Sequence, residues 1–210
     1  MVDYQYKQRF TDYLGRIISI AVKRKIVFQV ITQKLSDSDL LKDVEKGDYF
    51  LILNYTPEEL FSKIYDMDFD VETSYFKYDD AYWCGYIYAN LFYRYNKNFP
   101  YIFLILPLEE LLDMYPLYHE MDISSLFNYY EESEKKETLL SRLLKYRHIR
   151  ATTLSKLTEI PVATIKYFKK NNHNIYNANF NTVKKIAIVL NIDDRVFLEN
   201  NFYIDSQRWE

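Results

Sequence analysis

The sequence predicts a mainly α-helical protein of two domains, and three observations support this prediction. Apolar residues recur at helical spacing over long runs. Only three glycines and five prolines occur in 210 residues, which leaves few positions for the turns that hairpin-rich folds need. The charge of the chain also changes sign within the segment 131–137, where the apolar periodicity lapses. We therefore expect an acidic, aromatic-rich helical domain over residues 1–134 and a second helical domain over residues 135–210.

The charge division is large although the net charge of the chain is only −3. Residues 1–134 carry 13 Lys and Arg against 23 Asp and Glu, a net charge of −10. Residues 135–190 carry 12 against 2, a net charge of +10, and the last twenty residues carry 2 against 5. A polyanion bound to the basic segment would release condensed counterions, which is the main sequence-independent driving force for binding DNA.

Composition argues against several classes of protein. A single cysteine, Cys84, excludes an internal disulfide framework and the usual multi-cysteine zinc sites. No apolar stretch reaches the ~18 residues that a membrane-spanning helix needs. We expect a cytoplasmic protein with no cofactor, no metal and no membrane association. The 22 tyrosines and 14 phenylalanines are interpreted mainly as core residues.

Three segments of the first domain have clear helical signals. Residues 4–25 carry an apolar stripe, comprising Phe10, Leu14, Ile17, Ile18 and Ala21. Thr56-Pro57-Glu58-Glu59 combines a capping threonine, proline at the first helical position and glutamate at the third, so a helix should follow it. Asp79 or Asp80 should open an aromatic helix through residues 81–95, which is either deeply buried or partly a docking surface.

Two later segments are less certain from the sequence. The apolar segment 100–107 is equally compatible with a buried strand and a short helix. Another helix should begin at Pro107, and Pro116 should kink or stop it.

The second domain begins with a helix whose apolar stripe comprises Leu139, Leu140, Leu143 and Leu144. Thr152 or Thr153 should open a second helix, with Leu154 and Leu157 pointing inward. Pro161 suits the start of a third helix. Within that third helix Ile165 and Phe168 should face the core. Val162, Ala163, Lys166, Tyr167 and Lys170 are then expected to face outward.

Further helices follow the third one. Asn179 or Asn181 should cap another helix, whose buried stripe comprises Val183, Ile186, Ala187 and Leu190. Phe197 and Leu198 are expected to close the domain.

Two short helices joined by a tight turn, the second rich in lysine, are typical of a helix-turn-helix that binds DNA. In a major groove Lys166 could donate to guanine acceptors, and Val162 and Ala163 could contact thymine methyl groups. Lys169 and Lys170 are placed to pair with phosphates. The candidate DNA-binding residues are Arg150, Thr152, Val162, Ala163, Lys166, Tyr167, Lys169, Lys170 and Asn172.

Residues 139–199 resemble the Cro/repressor-type (XRE-family) helix-turn-helix domain, which implies a five-helix DNA-binding fold. The resemblance is carried by Leu154, Leu157, Ile160-Pro161, Thr164-Ile165, Ile175, Ala178, Val183, Ala187, Leu190 and Asn191-Ile192. Four positions depart from the common pattern. Arg150 and Ala151 replace a frequent Ser-Gln, Glu159 replaces the frequent turn glycine, and Lys169 replaces a frequent glutamate.

The region from Asp79 onward also resembles a group of small bacterial proteins, chiefly from Firmicutes, that join such an amino-terminal region to a helix-turn-helix. Some are encoded beside putative toxin genes, which implies an antitoxin-like or regulatory role. Shared residues of this group are Trp83, Gly85, Leu106, Pro107, Met114, Tyr115, His119 and Glu120. From this region we take Trp83, Tyr86, Tyr115 and His119 as candidate partner-binding residues.

An enzymatic function is not expected. Cys84 and His119 are the obvious candidates for a thiol nucleophile and its base, but a cysteine amid Tyr82, Trp83 and Tyr86 is better explained as a small buried hydrophobe. No glycine-rich phosphate loop and no two-histidine zinc motif occur in the sequence.

Two hypotheses follow for function. The first is a homodimeric transcriptional regulator of antitoxin type that binds double-stranded DNA, with the amino-terminal domain binding a toxin, another protein or a second copy. The alternative is a protein-binding inhibitor from a phage or mobile element that blocks a nucleic-acid enzyme, with its acidic face acting as a DNA mimic.

Overall fold

Helices dominate the computed structural model, which describes residues 4–68 and 79–197. No strand occurs within these two ranges, so the predicted mainly α-helical class is confirmed. The chain divides into two compact units, the first ending at Ser125 and the second beginning at Leu126. The charge changes sign nearby, between residues 134 and 135.

The first unit contains eight complete α-helices among its described residues. They are α1 (Tyr4–Lys23), α2 (Phe28–Asp37), α3 (Asp39–Glu45), α4 (Phe50–Asn54), α5 (Pro57–Tyr65), α6 (Asp80–Tyr95), α7 (Phe99–Ile105) and α8 (Leu108–Tyr118). A ninth helix, α9 (Ile123–Lys136), includes the point where the two units divide.

The second unit continues with five short helices and a 3-10 turn in its described part. They are α10 (Leu139–Tyr146), α11 (Ala151–Thr158), α12 (Val162–Phe168), α13 (Asn172–Tyr176), α14 (Phe180–Leu190) and the 3-10 helix Asp194–Phe197. Phe197 is buried as expected, whereas Leu198 lies outside the described residues.

The core of the first unit forms where α1 and α6 pack together. All five residues of the predicted α1 stripe are fully buried. At the crossing the two backbones meet at glycines. A Cβ atom added to Gly85 would lie 2.5 Å from both the Cα and the N of Gly15. Only glycine at position 85 therefore allows this approach of α6 to α1.

The two strongest predicted helix starts of this unit are confirmed. Thr56 accepts a hydrogen bond from the Glu59 N–H at 3.2 Å, and the Glu59 carboxylate accepts one from the Thr56 N–H at 2.7 Å. Asp79 caps α6 by accepting from the Tyr82 N–H at 2.9 Å. The same carboxylate lies 3.3 Å from the Lys23 ammonium group, so it also joins the start of α6 to the end of α1.

Most of the apolar segment 100–107 is helix rather than strand, since α7 runs to Ile105. Asn98 caps α7 through the Tyr101 N–H, and Glu45 Oε1 accepts from the Phe99 N–H at 2.8 Å. Pro116 does not stop α8, which continues two residues beyond it to Tyr118. A proline in the last turn leaves only one carbonyl without its helical donor, which limits the cost.

Cys84 lies inside the helical core. Its side chain is fully buried, and burial together with Asp80 and Asp79 raises the pKa of the thiol well above its ordinary value. The thiolate is the nucleophilic form of cysteine, so these surroundings support the interpretation of Cys84 as a small buried hydrophobe. No helix in the described ranges is long and apolar enough to cross a membrane.

Candidate nucleic-acid interface

The pair α11 and α12 is joined by the three residues Glu159 to Pro161. Glu159 adopts a left-handed backbone conformation, with φ of 60°, at the position where the sequence pattern commonly has glycine. Two hydroxyl groups hold the turn. Ser155 Oγ donates to the Ile160 carbonyl at 2.6 Å, and Thr158 Oγ1 accepts from the Ile160 N–H at 3.4 Å. The sequence thus forms a tight turn without glycine.

The start and the inner face of α11 correct two predictions. The helix begins at Ala151 with Arg150 at the capping position, so neither Thr152 nor Thr153 opens it. Leu157 was expected to face inward but is 60% exposed, whereas Thr158 is buried. Leu154 and Thr158, four residues apart, form the inner face. Because the Thr158 hydroxyl donates to a carbonyl of its own helix, its burial leaves no donor unsatisfied.

The helix α12 has the two faces that the sequence predicts. Ile165 and Phe168 are buried and anchor the helix to the unit. Ala163, Lys166 and Lys170 are exposed, Tyr167 is 54% exposed, and Val162 is half-buried. A helix anchored on one face and lysine-bearing on the other has the geometry that major-groove reading needs.

The Asn172 side chain forms a hydrogen bond within the second unit. Its Oδ1 accepts a hydrogen bond from the Leu139 N–H at 2.7 Å, and the Thr138 hydroxyl donates to the Lys169 carbonyl at 3.1 Å. These two bonds join the start of α10 to the segment that follows α12. We call this pair of bonds the α10 latch. The latch fixes the position of α12 relative to the rest of the unit.

Substitution of Asn172 with alanine is expected to lower the free energy of unfolding of the second unit by about 1 to 2 kcal/mol, because the Leu139 N–H loses its acceptor. Asn172→Asp keeps an oxygen in place near a helix amino terminus and should cost less. Urea denaturation of the two variants measures the difference. Equal stability of wild type and Asn172→Ala would contradict the role of the latch.

A groove of about 540 Å³ lies beside the amino terminus of α11. Its charged lining consists of Lys145, Arg150 and Lys169 together with Glu137. Lys145 pairs with Glu137 at 2.6 Å. The structure thus brings Arg150 and Lys169, two sequence-predicted residues, to one groove and adds Lys145, which is not among the predicted DNA-binding residues. Thr152 is exposed in the first turn of α11.

Residues 139–193 match the Cro/C1-type HTH DNA-binding domain. The carboxy-terminal part of the chain therefore carries a Cro/C1-type domain. No curated protein and no solved structure matches the chain significantly.

The buried residues of α10 and α14 agree with the predicted core of the Cro/C1-type domain. The leucine stripe of α10 and all four predicted residues of α14 are buried, and Asn179 caps α14 through the Asn181 N–H at 2.9 Å. The acidic residues of the basic segment are Glu137, which is paired with Lys145, and Glu159, which is exposed in the turn. Lys166 is the one charged residue within α12, and Lys169 and Lys170 directly follow its last residue.

The candidate partner-binding residues lie in the first unit, and the structure brings three of the four into one ring cluster. Trp83 on α6 and Tyr115 on α8 meet edge to face with 5.5 Å between ring centroids. The His119 ring stacks on Tyr115 at 4.4 Å. Tyr86 is 39% exposed one turn after Trp83 but shares no ring contact with this cluster among the described residues.

The described residues hold no cluster of three or more His, Cys, Asp or Glu side chains arranged to bind a metal ion. The His119 Nε2 lies 3.6 Å from a Glu120 carboxylate oxygen, and the Nδ1 lies 2.7 Å from the Tyr115 carbonyl oxygen. Both ring nitrogens therefore have a polar neighbour within the chain.

Proposed function

We propose that the chain is a transcriptional regulator whose Cro/C1-type domain places α12 in the major groove of duplex DNA. The observation that carries this proposal is the division of α12 into a buried face of Ile165 and Phe168 and an exposed face bearing Lys166 and Tyr167, with Lys170 exposed just after the helix. The match of residues 139–193 to a family of DNA-binding domains supports it.

In this proposal some candidate residues contact bases, others contact the DNA backbone, and one positions α12. Lys166 donates to a base edge, and Val162 and Ala163 contact thymine methyl groups. Arg150, Thr152, Lys169, Lys170 and the neighbouring Lys145 contact phosphates, while Tyr167 packs against the sugar-phosphate backbone. Asn172 acts through the α10 latch, which positions α12.

The protein is further proposed to act as a homodimer of antitoxin type. Dimeric helix-turn-helix proteins read two half-sites about 34 Å apart, which supports a dimer here by analogy. The ring cluster of Trp83, Tyr115 and His119, with Tyr86 nearby, is proposed as the partner-binding site. The partner, a toxin in the antitoxin version, would change the occupancy of the operator.

The test of DNA binding is fluorescence anisotropy with the duplex of the protein's own promoter and with a random duplex, over a range of salt concentrations. If each domain of the homodimer contacts three or four phosphates, six to eight in all, affinity should fall roughly 2,000- to 20,000-fold between 50 and 200 mM salt. Tighter binding to the promoter than to the random duplex is expected.

Absence of binding to either duplex at 50 mM salt would overturn the proposal. It would instead favour the alternative of a protein-binding inhibitor. The acidic stretch 98–134, which has eight Asp and Glu and no Lys or Arg, is the observation that supports this alternative.

A further inference from the structure

Glu137 is the acidic residue that lines the groove beside the amino terminus of α11. Its Oε2 atom lies 2.6 Å from the Lys145 ammonium group. Arg150 and Lys169 line the same groove, and neither has a carboxylate partner within residues 4–68 and 79–197. Of the three cations of the groove, Lys145 is therefore the one that a carboxylate neutralises.

The two members of this ion pair differ in how freely they can move. The Lys145 side chain is 74% exposed on a flexible stem, whereas the Glu137 side chain is 23% exposed. The residue after Glu137 is fixed, because the Thr138 hydroxyl accepts from the Ser141 N–H at 3.4 Å and donates to the Lys169 carbonyl in the α10 latch. The ammonium group can thus leave the pair while the carboxylate stays in the groove.

Three helices of the Cro/C1-type domain border this groove. Lys169 directly follows the last residue of α12, and Arg150 stands at the amino terminus of α11. Ser141 and Lys145 are four residues apart in α10 and share one face of that helix. Under the proposed function these cations contact phosphates of a duplex that lies along α12, so the ion pair stands at a phosphate-binding site.

A carboxylate and a phosphate compete for the same ammonium group, since both are oxyanions that accept charge-assisted hydrogen bonds. A phosphate that approaches the intact pair meets a neutralised lysine and the negative charge of Glu137 beside it. Full contact between Lys145 and a phosphate therefore requires the pair to open. The free energy of the ion pair is then subtracted from that of the phosphate contact.

We propose that Glu137 is an internal competitor of the DNA backbone: its carboxylate holds Lys145 in the free protein, and Lys145 exchanges the carboxylate for a phosphate when the duplex binds. This proposal rests on the proposed function, since it adds a regulation of the same phosphate contacts. Lys145 then contributes less to affinity than a free lysine at its position would. Because phosphates carry no sequence information, Glu137 lowers the affinity for all duplexes alike.

The first test is Glu137→Gln in the full chain, which keeps the shape of the side chain and removes its charge. Affinity for the promoter duplex and for the random duplex should rise by the same factor, roughly two- to fivefold per domain, as expected for the release of one exposed ion pair. The slope of log affinity against log salt should steepen by about 0.9 per domain, because the positive charge facing the duplex rises by one. Unchanged affinity, or a rise for one duplex alone, overturns the proposal.

Glu132→Gln is the matched control for the charge. Glu132 is exposed on α9 in the same unit, and no cation pairs with it in the described part of the chain. Both variants remove one negative charge, and thermal melts check that both are folded. An equal rise in affinity in the two variants would show that only net charge matters, and it would overturn the proposal.

A double-mutant cycle with Lys145→Gln shows whether the carboxylate acts through this lysine. In the Lys145→Gln background no ion pair has to open, so Glu137→Gln should raise duplex affinity less than it does in the wild-type background. The difference between the two rises measures the exchange. Equal rises in both backgrounds would show that the pair stays closed on DNA, and they would overturn the proposal.

A measurement without DNA separates failure of this proposal from failure of the proposed function. Inorganic tripolyphosphate is titrated by calorimetry into wild type, Glu137→Gln, and Glu137→Gln combined with Lys145→Gln. The single variant should bind it roughly two- to fivefold more tightly than wild type, and the added change should return the affinity to about the wild-type level.

The two anions give distinct outcomes. If no protein binds either duplex but tripolyphosphate shows the expected order, the proposed function fails and the exchange at Glu137 is supported. Equal tripolyphosphate affinity in wild type and Glu137→Gln overturns the exchange.

Discussion

Lys166→Glu is expected to lower the affinity of the protein for duplex DNA at least about tenfold. A side chain that reads a base edge contributes ~1 to 3 kcal/mol of discrimination, and the reversed charge adds repulsion from nearby phosphates. Lys166 is exposed on α12, so the substitution should leave the fold of the domain intact. Fluorescence anisotropy with the promoter duplex at low salt measures the loss.

The matched control for this variant is Lys34→Glu. Lys34 is exposed in the last turn of α2, in the first unit, so it changes the net charge of the protein equally. If the two variants lose the same affinity, only the overall charge matters, and α12 is not the DNA-reading element. A loss confined to Lys166→Glu is the result expected from a helix lying in the groove.

Gly85→Ala is expected to destabilise the first unit by about 3 kcal/mol, the upper end of the usual cost of overpacking a core. The new methyl group would lie 2.5 Å from backbone atoms of Gly15 and 2.7 Å from the Leu14 carbonyl carbon. Backbone atoms cannot rotate away as a side chain can, so α1 and α6 must separate. On an exposed helix the same substitution would stabilise by about 1 kcal/mol.

Urea denaturation followed by circular dichroism, together with amide exchange in α1 and α6, measures this effect. Gly47→Ala serves as the control, because a Cβ there meets no atom within 4 Å and the cost comes only from its φ of +80°. That control should lose about 1 kcal/mol. A Gly85→Ala protein as stable as wild type would show that the two helices do not cross as closely as the structure has them.

Helices with a strong local signal were predictable from sequence alone. Thr56 and Asp79 each place an oxygen within three residues of the N–H that they accept from, so both caps are visible in the sequence. The apolar stripes of α1 and α14 repeat at helical spacing and are buried as predicted. Local hydrogen bonds and periodicity therefore account for most of the fold.

Short helices and long-range bonds were less predictable. The helix α11 has only eight residues, and periodicity over two turns did not distinguish Leu157 from Thr158 as the inward side chain. The bond between Asn172 and Leu139 joins residues 33 apart, so its existence depends on tertiary packing. The ring cluster likewise joins Trp83 on α6 to Tyr115 on α8. These residues are far apart in sequence, so helical periodicity could not predict their contact.

Six described residues other than glycine adopt left-handed backbone conformations, at Lys25, Asp66, Asn96, His148, Glu159 and Asn191. Four of them stand at the carboxyl caps of α5, α6, α11 and α14. A side chain in this conformation strains the native state by roughly 1 to 2 kcal/mol, less for asparagine and aspartate. The same side chains restrict the disordered chain more than glycine would, so the unfolded ensemble is narrower and the entropy lost on folding is smaller. The strain of these residues in the native state is thus partly offset by the smaller number of conformations that the denatured chain can adopt.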